Sequence, residues 1–213
     1  MMKKRMLLAD DHKIVLEGLR SLLEPEYEIV GAVEDGRELL AKAEELCPDV
    51  IIADISMPKL NGIEAVSQIK KTDSQIKVIF LTMHPDVSYA KRAFEAGASG
   101  YVLKHSASTE LITAIEEALK GRTYVTPMIA GELMQFYKKE TYIKDDITKK
   151  LTPRQREVLQ LLAEGHSAKE IASILNISTR TVEFHKYRMM EELNINTTAE
   201  LVQYAIKQGI VTI

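Results

Sequence analysis

Five side chains in this 213-residue chain have types and positions suited to chemistry: the carboxylates Asp10, Asp11 and Asp54, the hydroxyl of Thr82 and the ammonium of Lys104. They fall at four places, each directly after a short apolar run: Met6-Leu7-Leu8-Ala9, Val50-Ile51-Ile52-Ala53, Val78-Ile79-Phe80-Leu81 and Tyr101-Val102-Leu103. If those runs are parallel strands, all four places open on one crevice, because an open parallel sheet binds its ligands beyond the carboxyl ends of its strands. Clustered carboxylates raise one another's pKa unless a cation lies among them. Hard oxygen ligands with room for water favour Mg²⁺. With an ammonium and a hydroxyl beside it, such a site can hold a phosphoryl group by neutralising its oxygens. Asp54, on the central strand, could then be a nucleophile that forms an aspartyl phosphate. A lone aspartate after a strand is ordinarily a helix cap, and a lone lysine a solvated surface group. Four strand ends of this kind together point to a shared site.

The elements that must position these residues are readable over residues 1–121. A fifth run, Glu28-Ile29-Val30-Gly31-Ala32, joins the four, and segments with apolar residues three and four apart lie between them, such as Ile14 to Leu23 and Leu111 to Leu119. Short buried strands alternating with amphipathic helices predict an α/β domain with a five-stranded, doubly wound, flavodoxin-like parallel sheet. No glycine-rich phosphate loop appears, which argues against nucleotide binding. Residues 122–147 break the rhythm. Thr126-Pro127 can open a short helix to about Lys138, with Ile129, Leu133, Phe136 and Tyr137 on one face, and the polar run Lys138 to Lys150 reads as a linker. From Leu151 onward only helices fit, and residues 148–213 read as a second domain. Thr152-Pro153-Arg154-Gln155 and Ser167-Ala168-Lys169-Glu170 are capping boxes, Ser178 can cap a helix running to about Leu193, and Thr197 to Glu200 caps a last one. The short turn Asn176-Ile177-Ser178 makes a helix-turn-helix within a small four-helix domain.

Composition narrows the class. Hydrophobic residues make up 46% and charged residues 28%, ordinary for a globular chain. No apolar run reaches the roughly 18 residues of a membrane span, and the apolar stretch after Lys3-Lys4-Arg5 stops at Asp10, too short for a secretory signal. Cys47 is the single cysteine, which suits a reducing cytoplasm, and with five scattered histidines it argues against a zinc cluster. Residues 1–121 hold 15 basic and 20 acidic side chains, a balance of −5, while residues 151–213 hold 7 of each. Two modules with different partners are expected.

Residues 1–121 resemble the receiver domain of two-component response regulators. Ala9-Asp10-Asp11-His12 is similar to the family's acidic pair, and Asp54-Ile55-Ser56-Met57-Pro58-Lys59-Leu60-Asn61-Gly62 to its phosphoacceptor loop. Leu81-Thr82-Met83-His84 and Gly97 to Lys104 are similar to its switch threonine, switch aromatic (Tyr101) and active-site lysine. The resemblance implies that Asp54 accepts phosphate from a histidine kinase. It also implies that Asp11, Asp54 and the Ser56 carbonyl bind Mg²⁺ with help from Asp10, and that Ser56 and His84 flank the path of the water that removes the phosphate. Thr82 would be drawn toward the phosphoryl group and Tyr101 would repack behind it, shifting the face of the fourth helix and fifth strand. His105 follows the lysine where many receivers have proline, so no cis bond is expected there.

Residues 148–213 resemble the LuxR-type helix-turn-helix of NarL/FixJ response regulators, through Leu151 to Leu159, Lys169-Glu170-Ile171-Ala172 and Thr181-Val182-Glu183-Phe184-His185. Stepping about 100° per residue from Val182 puts Val182, His185, Met189 and Leu193 on the buried side, and Arg180, Glu183, Phe184, Tyr187, Arg188 and Glu191 outside. Exposed aromatics on such a helix invite the DNA major groove. The resemblance places base reading at Glu183, Phe184 and Tyr187, and phosphate contacts around Lys169, Thr181 and Lys186. Glu183 could accept from cytosine N4 and would repel phosphate. A module of zero net charge has little nonspecific affinity, so tight binding calls for a homodimer on phosphorylation. The expected protein is a phosphorylation-controlled transcription regulator whose unphosphorylated form is a monomer with a masked recognition helix. A Mg²⁺-dependent phosphohydrolase is disfavoured, because Ser56 stands where it would need a carboxylic acid. A protein-binding adaptor is the other alternative.

Overall fold

In the computed structural model, which describes residues 3–106, 108–140 and 151–211 (136–140 by backbone alone), the chain forms two units, Met1–Lys144 and Asp145–Ile213. The first contains β1 (Arg5–Ala9), α1 (Lys13–Leu23), β2 (Glu28–Val33), α2 (Gly36–Leu46), β3 (Val50–Ala53), α3 (Gly62–Thr72), β4 (Lys77–Thr82), α4 (Val87–Glu95), β5 (Gly100–Leu103), α5 (Ser108–Leu119), β6 (Tyr124–Val125) and α6 (Pro127–Glu140). The strands are parallel in the order β2-β1-β3-β4-β5-β6. Alternation along the strands divides the core in two. Leu7, Ile51, Phe80, Tyr101 and Leu103 face the side covered by α2, α3, α4 and α6. Met6, Leu8, Ile52, Ile79 and Val102 face α1 and α5. A strand buried on both faces has no polar alternation to show, which is why these runs read as continuously apolar.

The five expected strands form, and a sixth joins them. Tyr124 and Val125 pair with Gly100 and Tyr101 on the outer edge of β5. A two-residue strand carries no periodicity of its own, so its pairing is set by the edge it meets. The stretch from residue 122 is therefore no free linker at its start: α6 lies against α4, with Ile129 and Leu133 buried in the same cluster as Tyr101, Ala90 and Ala93. That helix packs on the face of the fourth helix and fifth strand which the expected switch would shift. The side chains of Phe136 and Tyr137 and the polar run 141–150 lie outside the described residues.

The second unit contains α7 (Pro153–Ala163), α8 (Ala168–Leu175), α9 (Thr179–Leu193) and α10 (Thr198–Lys207). Both expected capping boxes close, a third closes between Thr197 and Glu200, and Ser178 accepts from Thr181 N. Each satisfies backbone donors that a helix start leaves unpaired. Asn176 and Asn194 end α8 and α9 in the left-handed conformation, at φ 51° and 55°. The core gathers Leu159, Leu161, Ile171, Val182, Met189 and Leu201.

Candidate functional site

The parallel register brings the four chemical strand ends to one rim. Asp54 N donates to the Ala9 carbonyl and Lys104 N to the Thr82 carbonyl, both at 2.8 Å; Asp10, Asp54 and Lys104 are each the first residue beyond a strand, and Thr82 is the last residue of β4. Asp10 and Asp54 are 1% and 4% exposed, and Lys104 Nζ reaches Oδ2 of both at 2.7 Å. Burial alone would lower the ammonium's pKa. The hydrogen bonds and charges of Asp10 and Asp54 outweigh it and hold the group above the ordinary lysine range. Asp54 Oδ1 accepts from Ile55 N at 2.6 Å, which fixes the carboxylate plane. Thr82 is fully buried, and its Oγ1 accepts from His84 N at 3.4 Å.

The loop after β3 approaches closely because Gly62 has no side chain: a Cβ there would stand 2.0 Å from the Asp54 carbonyl oxygen. Lys59, at φ 63°, pairs with Asp35, which also caps α2 through Arg37 N and Glu38 N. Ser56 Oγ and His84 Nε2 are 2.7 Å apart, and Tyr101 OH donates to the His84 carbonyl at 2.7 Å. Tyr101 is fully buried, and burial pushes its phenol far above the ordinary range. Its side chain thus holds the inward position that the switch expectation assigns to the phosphorylated form. The His84 ring stacks on Tyr89 with centroids 4.1 Å apart, and burial lowers its pKa. Sequence reasoning missed Tyr89, which carries no local signal of that contact. His12 was also missed, although it adjoins the acidic pair. Asp10, Asp11 and His12 each offer one ligand atom within 4.8 Å of the others, and Asp11 Oδ1 lies 2.7 Å from His12 Nδ1. Two adjacent carboxylates, one buried and one exposed, fit a hard divalent cation that keeps part of its water.

On the second unit, Val182 and Met189 are buried as expected, while His185 and Leu193 are only partly covered. Burial, Arg154 and Arg188 lower the His185 pKa. Phe184 and Tyr187 are 57% and 62% exposed and, with Arg188, Glu191 and Glu192, line an open groove on α9. Lys169 and Arg180 are exposed. The Thr181 hydroxyl is 2.8 Å from that of the capping Ser178. Lys186 Nζ pairs with Glu183 at 2.5 Å and lies 4.9 Å from the Tyr187 ring centroid, so the carboxylate expected to repel phosphate carries its own cation. Arg188 pairs with Glu192 at 2.9 Å.

A doubly wound receiver with a carboxylate, hydroxyl and ammonium rim, followed by a helix-turn-helix, defines a response regulator. The response regulator receiver domain family matches residues 6–116 and the luxR family of bacterial regulatory proteins matches residues 149–205. The chain belongs to the NarL/FixJ response regulators, a family of transcription regulators rather than enzymes. It is 34% identical over 223 residues to the transcriptional regulatory protein DegU of Brevibacillus brevis, covering 97% of this chain and 94% of that protein. To the oxygen regulatory protein NreC of Staphylococcus carnosus it is 35% identical over 211 residues, covering 96% and 97%. Among solved structures, RcsB of Salmonella enterica serovar Typhimurium, bound to the promoter P1flhDC in the presence of the phosphomimetic BeF3⁻, superposes with a TM-score of 0.60 at 31% identity. That superposition covers 95% of this chain and 98% of that one. Among the described residues no helix is long and apolar enough to cross a membrane.

Proposed function

We propose that this protein works in the cytoplasm, where Asp54 accepts a phosphoryl group from the phosphohistidine of a cognate histidine kinase, and that this controls recognition of double-stranded DNA by α9. The observation that carries the reading is the Lys104 ammonium, 2.7 Å from both buried carboxylates at the end of the central strands. The Asp54 carboxylate attacks phosphorus, the new P–O bond forms as the P–N bond breaks, and the electron pair leaves on the kinase imidazole. Lys104 and the Thr82 hydroxyl then meet the phosphoryl oxygens, whose charge is spread in the transition state. Mg²⁺, held by Asp11, Asp54 and the Ser56 carbonyl with Asp10 beside them, supplies further charge neutralisation when bound. The added charge of about −1.5 to −2 draws Thr82 inward and favours the buried Tyr101.

On DNA, Glu183, Phe184 and Tyr187 face base edges, while Lys169, Arg180, Thr181, Lys186 and Arg188 lie toward the phosphates. Phosphorylation favours a homodimer that reads two half-sites about one helical turn, roughly 34 Å, apart. The primary test is labelling with acetyl phosphate in the presence of Mg²⁺. Asp54→Asn is expected to take up no acid-labile phosphate, and full labelling of that variant would move the nucleophile elsewhere.

A further inference from the structure

Strand β6 stops after two residues because Pro127, which lacks an N–H, opens α6. The ladder along β5 nevertheless continues for two more rungs, both made by Thr126. Its N–H donates to the Tyr101 carbonyl at 3.0 Å. Its Oγ1 accepts from Leu103 N at 3.2 Å, standing in for the strand carbonyl that the turn into α6 removes. The same hydroxyl donates to Glu110 Oε2, in the first turn of α5, at 3.0 Å. The Thr126 carbonyl accepts from Ile129 N and Ala130 N at 2.9 and 3.2 Å, closing the first turn of α6. One residue, 4% exposed, thus ties the end of β5 and the start of α5 through its hydroxyl and the start of α6 through its carbonyl.

The position of this clasp matters. Leu103 immediately precedes Lys104, whose ammonium spans Asp10 and Asp54, and Tyr101 is the switch aromatic of the proposed mechanism. The helix that Thr126 begins is seated on the Tyr101 cluster through Ile129 and Leu133 and runs toward the polar stretch that precedes the helix-turn-helix. A displacement of the β5 end therefore reaches α6 through a buried donor and acceptor that are costly to leave unmade.

We infer that Thr126 is the positioning residue that couples the phosphoryl site to α6, its hydroxyl holding the strand end of Lys104 in step with the helix leading to the DNA-binding domain. The inference rests on the function proposed above. Its test uses the full chain, with Thr126→Val, which keeps the shape and loses the hydroxyl, and Thr126→Ser, which retains it. Three quantities are read with and without acetyl phosphate and Mg²⁺: acid-labile label, amide hydrogen exchange over residues 128–140, and DNA affinity. The wild type and Thr126→Ser should take up label, change α6 exchange and gain about ten-fold in affinity. Thr126→Val should take up label to a similar extent, yet show no α6 response and a gain below about two-fold. A Thr126→Val chain that responds like the wild type overturns the inference. So does one that melts normally but loses label, because the residue then serves the acceptor chemistry and not the coupling. A wild type with a full affinity gain and unresponsive α6 overturns the inference alone, whereas a wild type that takes up no label overturns the function and the inference with it. If Thr126→Val does not fold, Glu110→Ala, which keeps the Leu103 bond, should at least halve the α6 response; an unchanged response overturns the coupling.

Discussion

At the scale of single residues, the proposed phosphoryl site is first an electrostatic arrangement. Lys104 is the cation between two carboxylates that are almost fully buried. Removing one partner of such a group leaves the others uncompensated, so Lys104→Met should cost about 3 kcal/mol in urea unfolding without added metal. A cation that binds only the folded state stabilises it by mass action. Added Mg²⁺ should therefore raise the midpoint of the variant more than that of the wild type, and equal responses would show that Mg²⁺ does not share this charge cluster. A different residue pair is expected to set how long the phosphate persists. With Ser56 Oγ 2.7 Å from His84 Nε2, Ser56→Ala and His84→Ala should both accept phosphate but lose it at altered rates. A phosphoryl half-life unchanged in both variants would remove the pair from the path of the attacking water.

At the scale of elements, function depends on close approaches that fix where helices begin. Helix α3 starts at Gly62, whose N–H donates to the Ile55 carbonyl at 2.8 Å while its Cα faces the Asp54 carbonyl. Gly62→Ala must displace that backbone, and overpacking of this kind costs about 1–3 kcal/mol. Unfolding in urea should report the loss together with reduced phosphoryl uptake; a stable, fully labelled variant would show that the loop tolerates the shift. The start of β1 is pinned differently, by Asp49 accepting from Lys4 Nζ at 2.7 Å and Arg5 N at 2.9 Å. The Lys4 bond, opposed by burial and helped by the Arg5 amide, lowers the Asp49 pKa. A depressed carboxylate contributes stability above its unfolded value, about 3.9, and loses it as pH falls through the folded value. Asp49→Asn should therefore flatten the acid limb of the stability profile, modestly because the pair is partly solvated. An acid limb of unchanged slope would assign the pH dependence to other carboxylates.

At the scale of the whole molecule, two units with separate cores should behave as two cooperative systems. Residues 1–121 carry a balance of −5 and residues 151–213 none, so the receiver's own field disfavours DNA beside it. A fragment of residues 148–213 is expected to bind DNA without a phosphodonor, though less tightly than the phosphorylated dimer. The unphosphorylated full chain should bind more weakly than the phosphorylated one. A salt-controlled titration of these three species decides the matter. Equal binding by the two full-length forms removes inhibition by the receiver, and failure of the fragment alone means that the receiver supplies dimer contacts.

What the sequence determined by itself was whatever depends on near neighbours. Asp10, Asp54, Thr82 and Lys104 were legible because each ends an apolar run, and the caps at Thr152, Ser167 and Thr197 because donor and acceptor lie three residues apart. The outward face of α9, with Phe184 and Tyr187, followed from helical rotation alone. Tertiary structure decided the contacts between residues distant in the chain: His84 on Ser56 across 28 positions, Thr126 on Leu103 across 23 and on Glu110 across 16. It also decided that Tyr124 and Val125 form a strand and that the stripe of Ile129 and Leu133 covers the Tyr101 cluster rather than a partner elsewhere. An apolar stripe specifies that a face will be buried; only the finished sheet, with β6 paired on the outer side of β5 and α4 beside α6, supplies the surface that buries it.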